Sequence, residues 1–197
     1  MKRLVVGLMF LVASARVLPQ AAPSATDSES PFSVGGGLSG FNTAIDGGKM
    51  YGGTLWADYR LNKAPWALQG IGFEVEARDL LLGRSSSQPS YLSEKTFSGG
   101  VTYTYRHWEH FRPYGKVLIG YGTGIGPTES RTVTSLGGGL DYHLFGKVWL
   151  RGEYEYQRWP DYYKNSATSG GAPLNPNGFT FGVTYHFGHK KAATPAP

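Results

Sequence analysis

The chain has 197 residues, enough for one domain with short appendages, and its 29 glycines and 14% aromatic residues are both high values. Only 17% of the residues are charged, and this low charge with abundant aromatics excludes a disordered protein. The sequence contains no cysteine, which excludes disulfides, thiolate catalysis and cysteine-ligated metal sites.

The first segment in chain order, residues 1–25, has the pattern of a secretory signal peptide. Lys2 and Arg3 precede an apolar stretch from Leu4 to Ala13, and small residues suited to cleavage follow, ending at Ala25. This stretch is too short to cross a bilayer, so a membrane anchor is the weaker interpretation. Removing residues 1–25 takes three basic residues and no acidic one from a formal net charge of +5. The remaining chain therefore gives little support for a nucleic-acid partner.

After a short lead at residues 26–31, apolar and polar residues alternate with a period of two, which predicts β-strands. No long stretch shows the helical period of 3.6. In chain order, the alternation predicts eight strands: 32–40, 49–60, 68–80, 95–107, 113–124, 132–144, 147–159 and 178–187.

The connections between these predicted strands alternate in length. Longer polar segments follow the first, third, fifth and seventh strands, and shorter ones follow the others. This pattern is typical of an up-and-down antiparallel sheet, and of membrane barrels in particular. The strands are also longer than those of soluble proteins and long enough to cross a bilayer. The sequence therefore predicts an all-β fold, an eight-stranded antiparallel up-and-down transmembrane β-barrel over residues 32–187.

The apolar face of the predicted strands carries aromatic residues near both strand ends, where a bilayer has its two polar interfaces. Trp66, Trp108, Phe111 and Phe145 lie in the short turns. The residues expected to face lipid or form the aromatic belts are Tyr59, Tyr121, Tyr142, Tyr154, Tyr156, Phe179, Phe181, Tyr185 and Phe187. The alternative is a secreted soluble β-barrel with this face inside, where it would bind a small apolar ligand.

The polar face would line the interior of a membrane barrel. Eight strands leave an interior just wide enough to be filled by side chains, so the charges there must pair with one another. The predicted network consists of Asp58, Arg60, Glu74, Glu76, Arg78, Arg106, Lys116, Asp141, His143, Arg151, Glu153 and Glu155. We expect these pairs to be structural, with a narrow polar pore as an alternative.

The alternation, the loop asymmetry and the last strand, Gly178 to Phe187, resemble the small outer-membrane barrels of the OmpA-like/OmpX-like β-barrel-domain family. The resemblance implies the bacterial outer membrane as location, with both ends of the mature chain in the periplasm. It implies outer-membrane lipids as partners, and the barrel-assembly machinery as a partner that recognises the last strand. A monomer is expected. The Pro/Ala-rich tail, 188–197, resembles the start of the linker that follows the barrel in larger members of that family.

Some barrels resembling this one modify lipid A with a His-x-Ser pair, but none of the five histidines here has a serine two positions later. Asp141 and His143 share a face without a serine or cysteine nucleophile on it. His107 and His110 bracket a turn and predict no metal site. We therefore expect no enzyme activity, no cofactor and no metal, and the lipid-modifying enzyme is a third alternative.

The expected function is structural: a barrel with a filled interior that supports membrane integrity or surface interaction. The long loops at 81–94 and 160–177 are polar and partly aromatic, so an extracellular ligand could bind there.

Overall fold

The structure, a computed structural model, describes residues 29–43, 48–61, 70–82, 93–108, 110–123, 130–160 and 173–188. These ranges contain eight strands: β1 Glu29–Asn42, β2 Lys49–Arg60, β3 Ile71–Leu82, β4 Ser93–Thr104, β5 Phe111–Thr123, β6 Arg131–Phe145, β7 Val148–Arg158 and β8 Asn177–Gly188. Each strand pairs antiparallel with the next, and β8 pairs with β1. The predicted closed up-and-down barrel is therefore confirmed.

The strands agree with the predicted ones to within three residues at each end. The predicted signal peptide, residues 26–28 of the lead and residues 189–197 of the tail lie outside the described residues. In the described ranges, no helix is both long and apolar enough to cross a membrane.

Apolar side chains point outward along the strands and polar side chains point inward. Phe181, in the middle of β8, is 64% exposed, whereas Thr180 before it is buried and points toward the interior. All nine residues expected to face lipid are exposed: Tyr59, Tyr121, Tyr142, Tyr154, Tyr156, Phe179, Phe181, Tyr185 and Phe187. This arrangement contradicts the soluble alternative, in which the same face would enclose an apolar ligand. Trp66 lies outside the described residues.

Two of the glycines show why the backbone needs this residue where the barrel turns or closes. Gly146 begins the tight turn from β6 to β7 with a φ of 56°, a conformation that other residues adopt at a cost. Gly37 pairs with Gly182 where β1 meets β8. A Cβ on Gly37 would lie 2.4 Å from the carbonyl oxygen of Phe181, so the two closing strands approach too closely there for any other residue.

The side chains that fill the barrel interior change from apolar to polar along the barrel axis. At the end that carries the long loops, two apolar clusters are buried: Phe41, Met50 and Leu80, with Leu82 packed against them, and Val133, Trp159 and Leu174. Below them, toward the short turns, the interior is filled mainly by charged and hydroxyl side chains. The polar centre of the barrel is thus covered by apolar residues on the loop side.

Candidate functional site

Ten of the charged residues in the interior lie on alternating positions of five strands. β2 contributes Asp58 and Arg60; β3 contributes Glu74, Glu76 and Arg78; β5 contributes Lys116; β6 contributes Asp141; β7 contributes Arg151, Glu153 and Glu155. All ten side chains are buried. Because side chains alternate along each strand, the residues next to these charges face lipid and the charges face the interior. The interior charge network is therefore the candidate site.

Lys116 is the centre of the network. Its Nζ lies 2.8 Å from Glu74 Oε1 and 2.6 Å from Glu76 Oε2. It also lies 2.8 Å from Glu153 Oε1 and 3.2 Å from Glu155 Oε2. One ammonium group on β5 therefore joins four carboxylates from two strands, β3 and β7, on other sides of the barrel.

Arg78 makes the second link across the interior. Its Nη1 and Nη2 donate to the two carboxylate oxygens of Glu155 at 2.9 and 3.1 Å, the paired geometry that guanidinium groups favour. Nη2 also lies 2.7 Å from Glu76 Oε1. The ring of Phe41 covers the guanidinium, with Cζ 4.3 Å from the ring centroid, and connects the ion pairs to the apolar cluster above.

Arg151 makes the third link, closer to the short turns. It donates to Asp141 Oδ1 at 2.9 Å, to Glu74 Oε2 at 2.9 Å and to Asp58 Oδ2 at 3.1 Å. Its guanidinium lies near two aromatic rings: Trp56, at 5.0 Å, and Tyr114, at 4.6 Å. Because Glu74 also contacts Lys116, the Arg151 and Lys116 groups form one continuous network.

At the turn end of the interior, cations and rings are packed together. Arg60 Nη2 lies 3.5 Å from His186 Nε2 and 3.8 Å from Asp141 Oδ2. The Arg112 guanidinium lies 3.9 Å from the ring centroid of Trp149. Favourable cation–π contact of this kind replaces part of the hydration that a buried cation loses.

Among the described buried residues, acidic groups outnumber Lys and Arg by seven to five. One of these acids, Glu94, lies at the loop end of β4. In the described ranges, no group forms a hydrogen bond with its buried Oε1. The described interior therefore contains two more acidic than basic residues, and Glu94 is one of the acids.

Two residues expected in this network lie elsewhere or only partly inside. Arg106 is exposed because β4 ends at Thr104, and the prediction that it faces the interior is wrong. Tyr105 N–H still donates to Pro113 O at 2.8 Å, but proline has no N–H to return the bond, so the pairing stops. His143 is half-buried, with Nε2 3.1 Å from the Gly146 carbonyl oxygen.

Among the acidic, basic and histidine residues buried in the described interior, sequence reasoning missed Glu94, Arg112 and His186. Glu94 and Arg112 lie one position outside the predicted strand ends. His186 lies on the predicted polar face but was not counted among the charges. Extending the same alternation by one residue at these strand ends finds Glu94 and Arg112, and counting histidine among the ionisable residues finds His186.

The oxygens of Glu74, Glu76 and Glu153 lie close enough together to hold a metal ion. Lys116 Nζ, however, already lies 2.6–2.8 Å from one oxygen of each residue. With Lys116 in place, the three carboxylates fit the ammonium group of this chain rather than a metal.

Comparison with known proteins gives a consistent result. The sequence matches the family of outer membrane protein beta-barrel domains over residues 8–187. The fold is similar to Neisserial surface protein A (NspA), with 14% identity and a TM-score of 0.58 over 82% of this chain and 100% of that one. It is similar to Ail, the attachment invasion locus protein of Yersinia pestis, with 20% identity and a TM-score of 0.52 over 82% and 100%.

The outer membrane protein OprG from Pseudomonas aeruginosa is also similar, with 13% identity and a TM-score of 0.50 over 83% of this chain and 99% of that one. At such identities the similarity to solved structures establishes the fold alone. A search of curated protein sequences gives no significant match.

Proposed function

Because this chain belongs to the outer membrane protein beta-barrel domain family and lies in the bacterial outer membrane, we propose that it is a structural barrel that does not conduct ions. Its rigid interior supports the membrane and holds the long loops at the cell surface. The observation that carries the proposal is the Lys116 ammonium, held by four carboxylates in the middle of the interior.

A continuous water path would have to pass through this network. Lys116 and Arg78 connect β5 and β3 to β7, so their side chains cross the space that a pore would use. Removing one partner of a buried ion pair typically costs about 3–5 kcal/mol, and these groups share partners. The apolar clusters on the loop side add a second obstacle to ions.

Single-channel recording of the purified protein in planar bilayers tests the proposal. We expect no reproducible conductance steps from the natural protein. A variant with Glu76→Ala, Arg78→Ala, Lys116→Ala and Glu155→Ala, which removes two acids and two bases, should show small steps. The matched control removes the exposed pair Asp79 and Lys95, whose side chains lie 3.3 Å apart outside the interior. Reproducible steps from the natural protein would refute the proposal.

The supporting role in the membrane has its own test. Deleting the protein from its parent bacterium should increase uptake of a detergent or large antibiotic, and the natural protein should restore the barrier. Unchanged permeability would leave surface interaction as the function to pursue. Ail is named for attachment and invasion. The long loops of this chain lie largely outside the described residues.

We also propose that the chain has no lipid-modifying activity. Asp141, the acid expected beside His143, instead accepts hydrogen bonds from Arg151 at 2.9 and 3.4 Å. Mass spectra of lipid A should therefore be the same with and without overexpression. Three expectations stay predictions: recognition of β8 by the assembly machinery, an extracellular ligand at the loops and a monomeric state.

A further inference from the structure

His186 is a buried histidine at the turn end of the interior, and the proposed function does not use it. It lies on β8, and its Nε2 lies 3.5 Å from Arg60 Nη2 on β2. The ring of Trp149, on β7, packs against the imidazole with centroids 5.6 Å apart. Ser33, on β1, is its cross-strand neighbour. The imidazole is therefore enclosed by side chains from both adjacent strands and from β2.

The contact between Arg60 and His186 requires a neutral imidazole. A guanidinium group has only hydrogen-bond donors, so Nε2 of His186 can meet Arg60 only as an acceptor, without a proton. A protonated imidazole has donors on both nitrogens. Protonation would therefore remove this hydrogen bond and add a positive charge beside the Arg60 guanidinium, where the two like charges repel.

The other charges at this end give an additional cation little compensation. In the described ranges, β1 and β4 contribute hydroxyl residues there, and the charged or titratable side chains facing the interior around His186 are Asp58 and Arg60 on β2, Glu74 on β3, Arg112 on β5, Asp141 and His143 on β6, and Arg151 on β7. All three of these acids already accept hydrogen bonds from Arg151, at 2.9–3.1 Å. Arg60 also experiences repulsion from Arg112 and Arg151.

His143 packs against the same tryptophan but tolerates a proton. Its ring centroid lies 4.8 Å from that of Trp149, and its Nε2 lies 3.1 Å from the carbonyl oxygen of Gly146. A carbonyl oxygen only accepts, so this Nε2 carries a hydrogen in the neutral and in the protonated ring alike. Protonation of His143 therefore keeps its hydrogen bond, whereas protonation of His186 breaks the one to Arg60.

We propose that His186 is a proton-sensitive clamp that holds the turn end of the interior closed. The neutral imidazole accepts a hydrogen bond from Arg60. When it takes up a proton, the two side chains separate and water enters from the periplasm, which the short turns of such barrels face. The four carboxylates around Lys116 and the apolar clusters on the loop side do not contact His186, so acid opens one end without creating a pore.

The clamp predicts how strongly opening depends on pH. In the opened state the imidazole is solvated and takes up a proton near pH 6.5, as an ordinary histidine does, whereas the closed state holds it neutral. Opening is then favoured as the pH falls below that value. Between about pH 7.5 and about pH 5.5 the opening equilibrium constant should rise about tenfold.

Thiol labelling tests the clamp, because the chain contains no cysteine. Ser33→Cys places one thiol in the interior opposite His186, at a position that is 1% exposed. The full chain is folded in detergent micelles, where a small water-soluble thiol reagent reaches both ends of the barrel. Each rate is divided by the rate for the same variant unfolded in urea at the same pH, which corrects for ionisation of the thiol. We expect this relative rate to rise about tenfold between about pH 7.5 and about pH 5.5.

Three matched variants locate the response. Ser39→Cys, an inward position further along β1, should label slowly at both pH values, because its surroundings belong to the part that stays closed. Adding His186→Gln to Ser33→Cys keeps an acceptor for Arg60 but removes the titration, and should abolish the rise. Adding His143→Gln instead should leave the rise unchanged. Folding of each variant is checked by the shift in gel mobility on boiling.

A relative rate for Ser33→Cys that does not change with pH would overturn the proposal. An equal rise for Ser39→Cys would show that the whole barrel opens, and a rise that persists after His186→Gln or disappears after His143→Gln would assign the response to another group. Either result overturns the clamp. If His186→Gln does not fold, the comparison of the two thiols and the His143→Gln variant still decide.

The inference rests on the proposed function, because a clamp requires an interior that is closed at neutral pH. The two can fail separately in the same experiment. Rapid labelling of both thiols at neutral pH would refute the closed interior and the clamp together. Slow labelling of both thiols at every pH would refute the clamp alone.

Discussion

Lys116 is the residue on which most interior ion pairs depend. Lys116→Met leaves Glu74, Glu76, Glu153 and Glu155 without the ammonium that all four contact. We expect the free energy of unfolding to fall by about 3–5 kcal/mol, the usual effect of breaking a buried ion pair. The measurement is urea-induced unfolding of the protein folded in vesicles, followed by gel mobility.

Lys95→Met is the matched control for that measurement. Lys95 Nζ lies 3.3 Å from Asp79 Oδ2, but the Lys95 side chain is 63% exposed. Exposed pairs contribute about 1 kcal/mol or less, so the control should unfold almost like the natural protein. Similar losses in the two variants would contradict the central role of Lys116.

Replacing Glu94 should not destabilise the barrel, in contrast to replacing Lys116. Among the described residues no group forms a hydrogen bond with its buried Oε1, and the interior already has more acids than bases. Glu94→Gln removes a buried charge without breaking a hydrogen bond to that oxygen, so stability at neutral pH should be unchanged or higher. Glu76→Gln is the control and should destabilise, since Glu76 contacts Arg78 and Lys116. A loss for Glu94→Gln equal to that for Glu76→Gln would refute the prediction.

At the scale of the strand, depth in the membrane sets the cost of a charge. Phe181 lies at the middle of β8 and points outward, whereas Tyr59 lies near the turn end of β2. Phe181→Arg should reduce folding stability in vesicles by about 2–4 kcal/mol, and Tyr59→Arg by no more than about 1 kcal/mol. Folding titrations in urea would measure both. Equal losses would mean that the apolar face does not contact lipid.

Period-two alternation predicts the strands and their two faces because the polarity of each residue indicates whether its side chain points inward or outward. Strand ends are less well predicted, since there the backbone hydrogen bonds decide which residue belongs to the sheet. Pro113 ends the pairing with Tyr105, which a pattern of polar and apolar residues does not record. The sequence also does not predict which acid pairs with which base, because pairing across the interior depends on strand register. The contact of Arg78 with Glu155 joins strands β3 and β7, which do not pair.

At the scale of the whole barrel, closure depends on the seam between β1 and β8. A side chain on Gly37 would collide with the backbone of Phe181, so Gly37→Val should prevent closure. The variant should lose the difference in gel mobility between boiled and unboiled samples that the natural protein is expected to show. Gly53→Val is the control: an added Cβ meets its nearest atom at 3.9 Å, so that variant should still shift on boiling. A normal shift for Gly37→Val would contradict this account of the seam.

The interior ion pairs connect residues far apart in the chain, and this has a kinetic consequence. Arg78 and Glu155 are separated by 77 positions, and Arg151 and Asp58 by 93. Such pairs form only after most of the strands have assembled, so they do little to speed insertion. Interactions made after the transition state slow the reverse reaction instead. The network therefore prolongs the lifetime of the closed barrel in the membrane. Unfolding is slow because it requires the buried ion pairs to break at the same time.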